Sequence, residues 1–300
     1  MYMSQMFKKA TKINYHGFNM SLMTHPDHPS LFLGLIRQTK ECEFTGSQLN
    51  KNIEKVILNQ LHALTLDNNF NVIEFKILKD NSMLPKYESF TIGIEDCRIL
   101  SPTVCYGVSL YTNPFHLPEI CLCHYDLEKK SIERLIKCNM NGKKRPEKNW
   151  LLLKETDENY VMIHSYTPFT IINVNKESGN TEICKRTHIF VRSSEYEIHG
   201  GSCVWIPQLQ SYFVLVRIVN NHQYLHYKWV CLDELYNVQS VSGEFRFSDF
   251  DGVYEMNISM VLQNERLIVP VSLYDKEVYV FETTVSAVYE YLNHYPMVIL

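Results

Sequence analysis

The sequence predicts an all-β protein, and three observations predict it. Short runs rich in Ile, Val, Tyr and Phe alternate with polar residues at a period of two, which is the pattern of half-buried strands. The runs recur at spacings of about 8 to 15 residues, as in a sandwich, barrel or propeller. The breaks between them are turn chemistry, such as Asp-Leu-Glu-Lys-Lys-Ser at 126–131, Thr-Asp-Glu-Asn at 156–159, Lys-Glu-Ser-Gly-Asn at 176–180 and the polar residues 220–222.

In chain order, strands are expected at 31–37, 72–78, 90–100, 104–112, 119–125, 160–164, 169–174, 212–219, 224–232, 266–273 and 277–283. One stretch is ambiguous. Ile53, Val56, Ile57 and Leu61 sit at i, i+3, i+4 and i+8, one face of a helix over 47–64, yet 56–66 also reads as a strand entering a turn at 67–69. A short helix is expected over 284–292. About 11 to 18 strands leave room for four or five blades of four strands. The 11 glycines are too few for a Gly-punctuated WD-type propeller. The pattern by itself leaves propeller and sandwich open. No low-complexity segment or Pro/Gly-rich linker divides the chain, so one domain is expected.

Composition bounds the function. The 300 residues are 45% hydrophobic and 21% charged, enough apolar surface to offset the entropy of ordering. A net charge of -4 carries no basic excess, which argues against a nucleic-acid face or a membrane-surface patch. No run approaches the roughly 20 apolar residues of a membrane span. The first twenty residues lack a signal-peptide apolar core, so a cytoplasmic address is expected. The 9 cysteines include no C-x-x-C pair and read as reduced, mostly buried thiols. No metal site is expected, because His222 and His226 have H-x-x-x-H spacing in text that reads as a turn running into a strand. The sequon at Asn257-Ile258-Ser259 reads as chance.

Six short motifs carry chemistry. In Ile94-Glu95-Asp96-Cys97-Arg98-Ile99, an unbroken strand puts Asp96 and Arg98 on one face and Glu95 on the other. That pairing is either a structural ion pair or a catalytic acid tuned by its arginine. Glu147-Lys148-Asn149-Trp150 is either a polar turn ahead of a core tryptophan or two donors at a pocket mouth, suited to sugar hydroxyls or phosphate. His199-Gly200-Gly201-Ser202 is either a hairpin turn or a place where backbone approaches a ligand. Tyr224 and His226 share one side of a strand. Tyr254-Glu255 and Tyr274-Asp275 place acids at strand ends, where turn residues are common.

Taken in order, these segments resemble a known group. E-D-x-R-I, E-K-N-W, G-G-S, Y-x-H-Y, a Glu before a Met-containing strand and an Asp ending the next strand look like the five-bladed β-propeller proteins related to glycoside hydrolase family 130. That group includes β-mannoside phosphorylases, mannosidases and glycosyltransferase-associated propellers. The agreement is best in Gly-Ile-Glu-Asp-Cys-Arg-Ile-Leu (93–100), Glu-Lys-Asn-Trp-Leu-Leu-Leu (147–153), Ser-Tyr-Thr-Pro-Phe-Thr-Ile (165–171) and residues 224–233. It implies an all-β, five-bladed β-propeller over 29–293, an N-terminal extension over 1–28 packing on it, and a C-terminal tail over 294–300. It also favours the strand over the helix at 56–66.

The resemblance implies a carbohydrate-active protein with an axial pocket for a mannose-like sugar. Asp96 falls where the family keeps its proton donor, braced by Arg98, with Glu95 beside it. Arg37 matches an arginine facing the sugar, Lys148 and Asn149 line the rim, His226 falls in the Y-x-H segment, and Asp275 matches an acid that holds hydroxyls. Glu255 or Asp275 would be the second carboxylate of a hydrolase, whereas a phosphorylase would use inorganic phosphate or a sugar phosphate as co-substrate, surrounded by Arg37, Lys148, His199, Arg217 and His226. No other cofactor is implied. The partners implied are an oligosaccharide or glycoconjugate and a glycosyltransferase. Four positions depart from the family: Cys97 replaces a proline, His199 an arginine, Arg217 stands where histidine is common, and 271–275 lack the leading tyrosine and the glycine. A non-catalytic glycan-binding propeller is therefore the alternative.

Overall fold

Two kinds of strand text produce two kinds of strand. Ser-Tyr-Phe-Val-Leu-Val-Arg-Ile-Val-Asn, β16 (Ser211–Asn220), is nearly continuously apolar and is buried on both faces. Val-Ile-Glu-Phe-Lys-Ile-Leu-Lys-Asp, β5 (Val72–Asp80), alternates and is mostly exposed. The computed structural model describes residues 6–7, 9–43, 55–140, 145–187, 196–220, 225–248 and 254–294. His222, Tyr224, residues 47–54 of the ambiguous stretch and residues 295–300 of the expected tail lie outside them. The chain divides into two compact units: an N-unit of Asn14–Lys148 with Asn175–Thr181, and a C-unit of Met1–Ile13, Asn149–Val174 and Glu182–Leu300.

The N-unit holds one nine-stranded sheet made of two antiparallel meanders. The first runs β2 (Phe18–Thr24), β3 (Phe32–Glu43), β4 (Lys55–Leu66) and β5, with β6 (Thr91–Ile92) parallel to the start of β4. The second runs β7 (Glu95–Ser101), β8 (Val104–Ser109), β9 (Glu119–Asp126) and β10 (Ser131–Lys137). They join through a two-residue parallel pairing, Ser131↔Lys79 and Ile132↔Asp80. The expected strand at 90–100 is split in two, because Gly93 turns the chain through a positive φ of 97°. Leu35, Leu61, Ala63, Leu78, Ile94, Tyr111 and Tyr125 pack with Cys97, Cys105, Cys121 and Cys123 as the core.

The C-unit holds three sheets. One is the meander β11 (Leu151–Glu155), β12 (Asn159–Tyr166), β13 (Phe169–Asn175), β14 (Thr181–Thr187). The next is β15 (Tyr196–Ile206), β16, β17 (Leu225–Asp233), β18 (Val238–Val241). The third has the order β1 (Lys9–Lys12), β22 (Glu277–Thr284), β21 (Arg266–Leu273), β19 (Glu255–Asn257), with β20 (Val261–Gln263) also on β21. The first 28 residues thus supply a strand to each unit: β1 on β22 and β2 on β3. The last described element is α1 (Val285–His294), whose Val288 and Leu292 share a core with Phe213, Trp229, Phe245 and Phe281.

The stretch at 55–66 is a strand, paired with β3 from Phe32↔Leu66 to Glu43↔Lys55. Its helical spacing is outweighed by this long register, which satisfies every backbone group along one side.

Candidate functional site

The charged centre of the N-unit is built by a break in a strand. Asp96 has φ +52°, and the β7–β8 register shifts between Glu95 and Arg98. An unbroken strand would send Glu95 and Asp96 to opposite faces. The bulge and the left-handed residue instead bring both carboxylates to one guanidinium. Arg37 Nη1 donates to Asp96 Oδ1 at 3.1 Å, and Arg37 Nη2 lies 3.2 Å from Glu95 Oε1. Arg37 Nε donates to Asn59 Oδ1 at 2.8 Å, and Asn59 Nδ2 donates to Glu95 Oε1 at 3.1 Å. Asn19 Nδ2 donates to Asp96 Oδ1 at 2.7 Å. The guanidinium sits over the Phe18 ring, 5.0 Å from its centroid.

A cation bridging both acids is Arg37, 59 residues before Asp96; Arg98, expected to brace Asp96, is buried on β7. Burial pushes the Glu95 carboxyl up from its ordinary value, and the Asp96 charge adds to the rise; Arg37, Asn59 and Lys148 oppose it. Each carboxylate side chain keeps about a fifth of its surface open. Lys148 is exposed. Asn19 and Asn59 were not singled out from sequence. Asn59 did carry a signal, a polar residue inside the apolar run Val-Ile-Leu-Asn-Gln-Leu.

A second group lies within the C-unit. Asn149, at φ +62°, has its amide nitrogen 3.2 Å from His199 Nδ1, and its oxygen accepts from Arg217 Nη2 at 3.2 Å. His199 and Arg217 are register partners on β15 and β16. Arg217 also contacts Met256 Sδ, and the Tyr254 hydroxyl donates to the same sulfur at 3.5 Å. His199 Nε2 reaches the exposed Glu197 at 3.3 Å. Arg217 is buried, and its Nε has no hydrogen-bond partner among the described residues. Gly200 and Gly201 lie inside β15 at a bulge rather than in a hairpin turn. A Cβ on Gly200 would stand 2.7 Å from the Asn149 carbonyl oxygen, and one on Gly201 2.6 Å from that of Leu215. Gly200 therefore lets β15 approach the backbone that carries Asn149, and Gly201 lets it approach β16 at Leu215.

The remaining expected residues separate. Glu255 is fully buried, and its two oxygens accept from the amides of Phe247 at 3.0 Å and Ser248 at 2.6 Å. It latches residues 247–248, and burial raises its pKa against those donors. Asp275 sits at φ +51° in the exposed turn between β21 and β22. His226 is half-buried on β17, 3.7 Å from Glu244, which also meets the buried Lys228 at 3.3 Å. Asn257 is buried, with its side chain bonded to Ser202, Ser259 and Pro270, so the sequon asparagine is part of the packing. Among the described residues no group of three or more His, Cys, Asp or Glu is arranged to hold a metal ion. No described helix is long and apolar enough to cross a membrane. Two cavities of about 650 and 580 Å³ are lined by N-unit residues, and neither includes Arg37 or Asp96.

No protein-family model matches the sequence, and no curated protein matches it in a sequence search. Solved structures do match in fold. A β-1,2-mannobiose phosphorylase from Listeria innocua, in complex with β-1,2-mannobiose, superposes with a TM-score of 0.64 at 14% identity, over 96% of this chain and 94% of that one. A structure from the glycoside hydrolase family 130 of mannoside phosphorylases, concerning hydrolases that target β-1,2 mannosidic linkages in Candida mannan, gives 0.62 at 13% identity over 92% and 86%. A mannose phosphorylase from Leishmania mexicana, in complex with a phosphate ion, gives 0.52 at 9% identity over 91% and 85%. This chain therefore shares the β-propeller fold of mannoside phosphorylases and related glycosidases.

Proposed function

We propose that the protein cleaves or forms a glycosidic bond of a mannose-like sugar, with Asp96 as the proton donor to the glycosidic oxygen. The observation that carries the reading is the shared Arg37. Two carboxylates beside one guanidinium leave the trio one negative charge in excess, and burial raises the pKa of Glu95 within it. Arg37 and Asn19 bind Asp96 through one oxygen, Oδ1, so Oδ2 is the oxygen that would carry the donated proton. A left-handed backbone suits this role, because it fixes the direction of the side chain independently of the strand face.

Arg217, Asn149 and His199 of the C-unit are donors of the kind that bind phosphate or sugar hydroxyls. With inorganic phosphate as co-substrate the reaction is phosphorolysis, and phosphate attacks the anomeric carbon while the leaving oxygen takes the proton. With water it is hydrolysis. A cytoplasmic address belongs to the same proposal and rests on the unpaired spacing of the cysteines.

The test is a panel of β-mannosides incubated with and without inorganic phosphate, reading free mannose and mannose 1-phosphate. Turnover is expected with the wild type and should be lost in Asp96→Asn, a variant that keeps the left-handed backbone accessible. Sugar binding without turnover by the wild type, or full turnover by Asp96→Asn, rejects the assignment.

A further inference from the structure

Strand β5 has an outer edge that its own sheet leaves largely unused. Its inner side pairs with β4 from Leu61↔Leu78 to Leu66↔Val72. On the outer side, β10 takes only Lys79 and Asp80. Among the described residues no strand pairs with the outer side of residues 72–78. Three large apolar side chains on this stretch face solvent: Ile73 is 60% exposed, Phe75 53% and Ile77 39%. They lie at i, i+2 and i+4, and so on one face. Glu74 and Lys76 lie on the other, with Lys76 Nζ 3.7 Å from Glu74 and 3.5 Å from Glu128. Soluble proteins usually blunt such edges with proline, a bulge or inward charge. Ile-Glu-Phe-Lys-Ile has no proline and no net charge.

The order of these five residues is self-complementary. Turned antiparallel and centred on Phe75, the segment meets itself with Phe75 facing Phe75, each Ile73 facing Ile77 and each Glu74 facing Lys76. Every facing pair is apolar with apolar or acid with base, the combinations that stabilise adjacent strands. The neighbouring registers are poor. A shift of two residues one way sets Lys76 against Lys76, and the other way sets Glu74 against Glu74. A shift of one residue puts Phe75 opposite a charge and reverses the faces.

We propose that β5 is a homodimerisation edge, at which a second copy of this chain adds its own β5 antiparallel about a two-fold axis through Phe75. The contact is isologous, with each residue meeting the partner position that meets it in return. Main-chain hydrogen bonds along 73–77 provide affinity, as in other strand additions, and the charge order provides the register. A five-residue pairing buries less than the roughly 1,200–2,000 Å² of permanent interfaces, so the dimer is a concentration-dependent equilibrium.

The experiment is sedimentation velocity of the full chain across a concentration series. The wild type should shift from monomer to dimer as concentration rises. Glu74→Lys alone and Lys76→Glu alone should each stay monomeric, because each sets like charges face to face. The double reversal Glu74→Lys/Lys76→Glu should dimerise again, and an equimolar mixture of the two single variants should form a mixed dimer. Since the mixture of the two single variants restores association, a folding defect cannot mimic this pattern. Phe75→Cys should give a disulfide-linked dimer under mild oxidation, because facing Cα atoms of antiparallel strands stand about 4.5–5.5 Å apart, within disulfide reach. A wild type that stays monomeric, a Glu74→Lys variant that dimerises like the wild type, or a mixture that fails to associate overturns the proposal.

Discussion

Buried acids are one source of pH dependence in this protein. Glu255 is enclosed, and burial raises its pKa more than its two amide donors and Ser248 lower it. A carboxyl whose folded-state pKa lies above its ordinary value near 4.5 contributes fully below that value. The contribution is then lost as pH rises through the raised pKa. Glu255→Gln removes the titration, although its amide satisfies only one of the two backbone donors. The variant should therefore melt below the wild type, and the gap should be widest near pH 4.5 and narrow as pH rises. Thermal melts from pH 4 to 8 measure this, and a gap that widens with pH would mean that the buried carboxylate is stabilised as the anion. Glu95 titrates in the same sense for the same first cause, burial, with Arg37 restraining the rise.

At the scale of elements, a repeat links two turns far apart in sequence. Asp67-Asn-Asn-Phe-Asn71 and Asp233-Glu-Leu-Tyr-Asn237 each connect the third and fourth strands of a meander. In both, one carboxylate oxygen accepts from the amides two and four residues on, at 2.8–2.9 Å. The other oxygen accepts from the asparagine side chain at 2.9 Å. The aromatic before each asparagine is left-handed, Phe70 at φ +64° and Tyr236 at φ +63°. Asp126 and Asn175 cap the equivalent turns of two other meanders by accepting from amides two and three residues on. The Asn71 amide holds the Asp67 carboxyl below its usual range. For Asp233, burial pushes upward but the donors of Asn237 and Leu235 outweigh it. Stability tied to a lowered carboxylate is present above the ordinary value near 3.8 and fades as pH falls through the lowered one. Asp67→Ala and Asp233→Ala should thus lower Tm at neutral pH by an amount that shrinks in acid. Melts of each variant at pH 7 and pH 3 test this, and a pH-independent loss would assign the effect to turn geometry rather than charge.

The same scale shows what was legible beforehand. Strands announced by β-branched and aromatic runs, such as β16, β17, β21 and β22, fall where alternation and turn residues put them. β4 was ambiguous because its apolar residues satisfy two periods at once, and only its register with β3 decides between them. Glu95 and Asp96 were placed on opposite faces because a bulge leaves no mark in local sequence. The repeat of the capped turns went unseen because it rests on three positions out of five.

At the scale of the whole molecule, the order of short motifs carried the fold at 14% identity or less to the solved structures named above, while partnerships across the chain stayed hidden. Nothing local ties Arg37 to Asp96, or Arg217 to Asn149, since those contacts follow from strand order. The cysteines offer a global check on that order. Of the nine, Cys97, Cys105 and Cys123 come from three successive strands and pack in the N-unit core, and Cys121 lies in the same core. Cys231 is buried in the C-unit, and Cys184 is exposed. Burial pushes the Cys121 thiol up to about 12, so it carries almost no thiolate at neutral pH, the form that reacts with alkylating agents. Alkylation of the native protein, mapped by mass spectrometry, should therefore mark Cys184 and spare Cys97, Cys105, Cys121, Cys123 and Cys231 until denaturant unfolds the sheets. Rapid labelling of Cys97, Cys105 or Cys123 in the native state would mean that β7, β8 and β9 do not close over one core, and the placement of Asp96 beside Arg37, which depends on that closure, would fall with it.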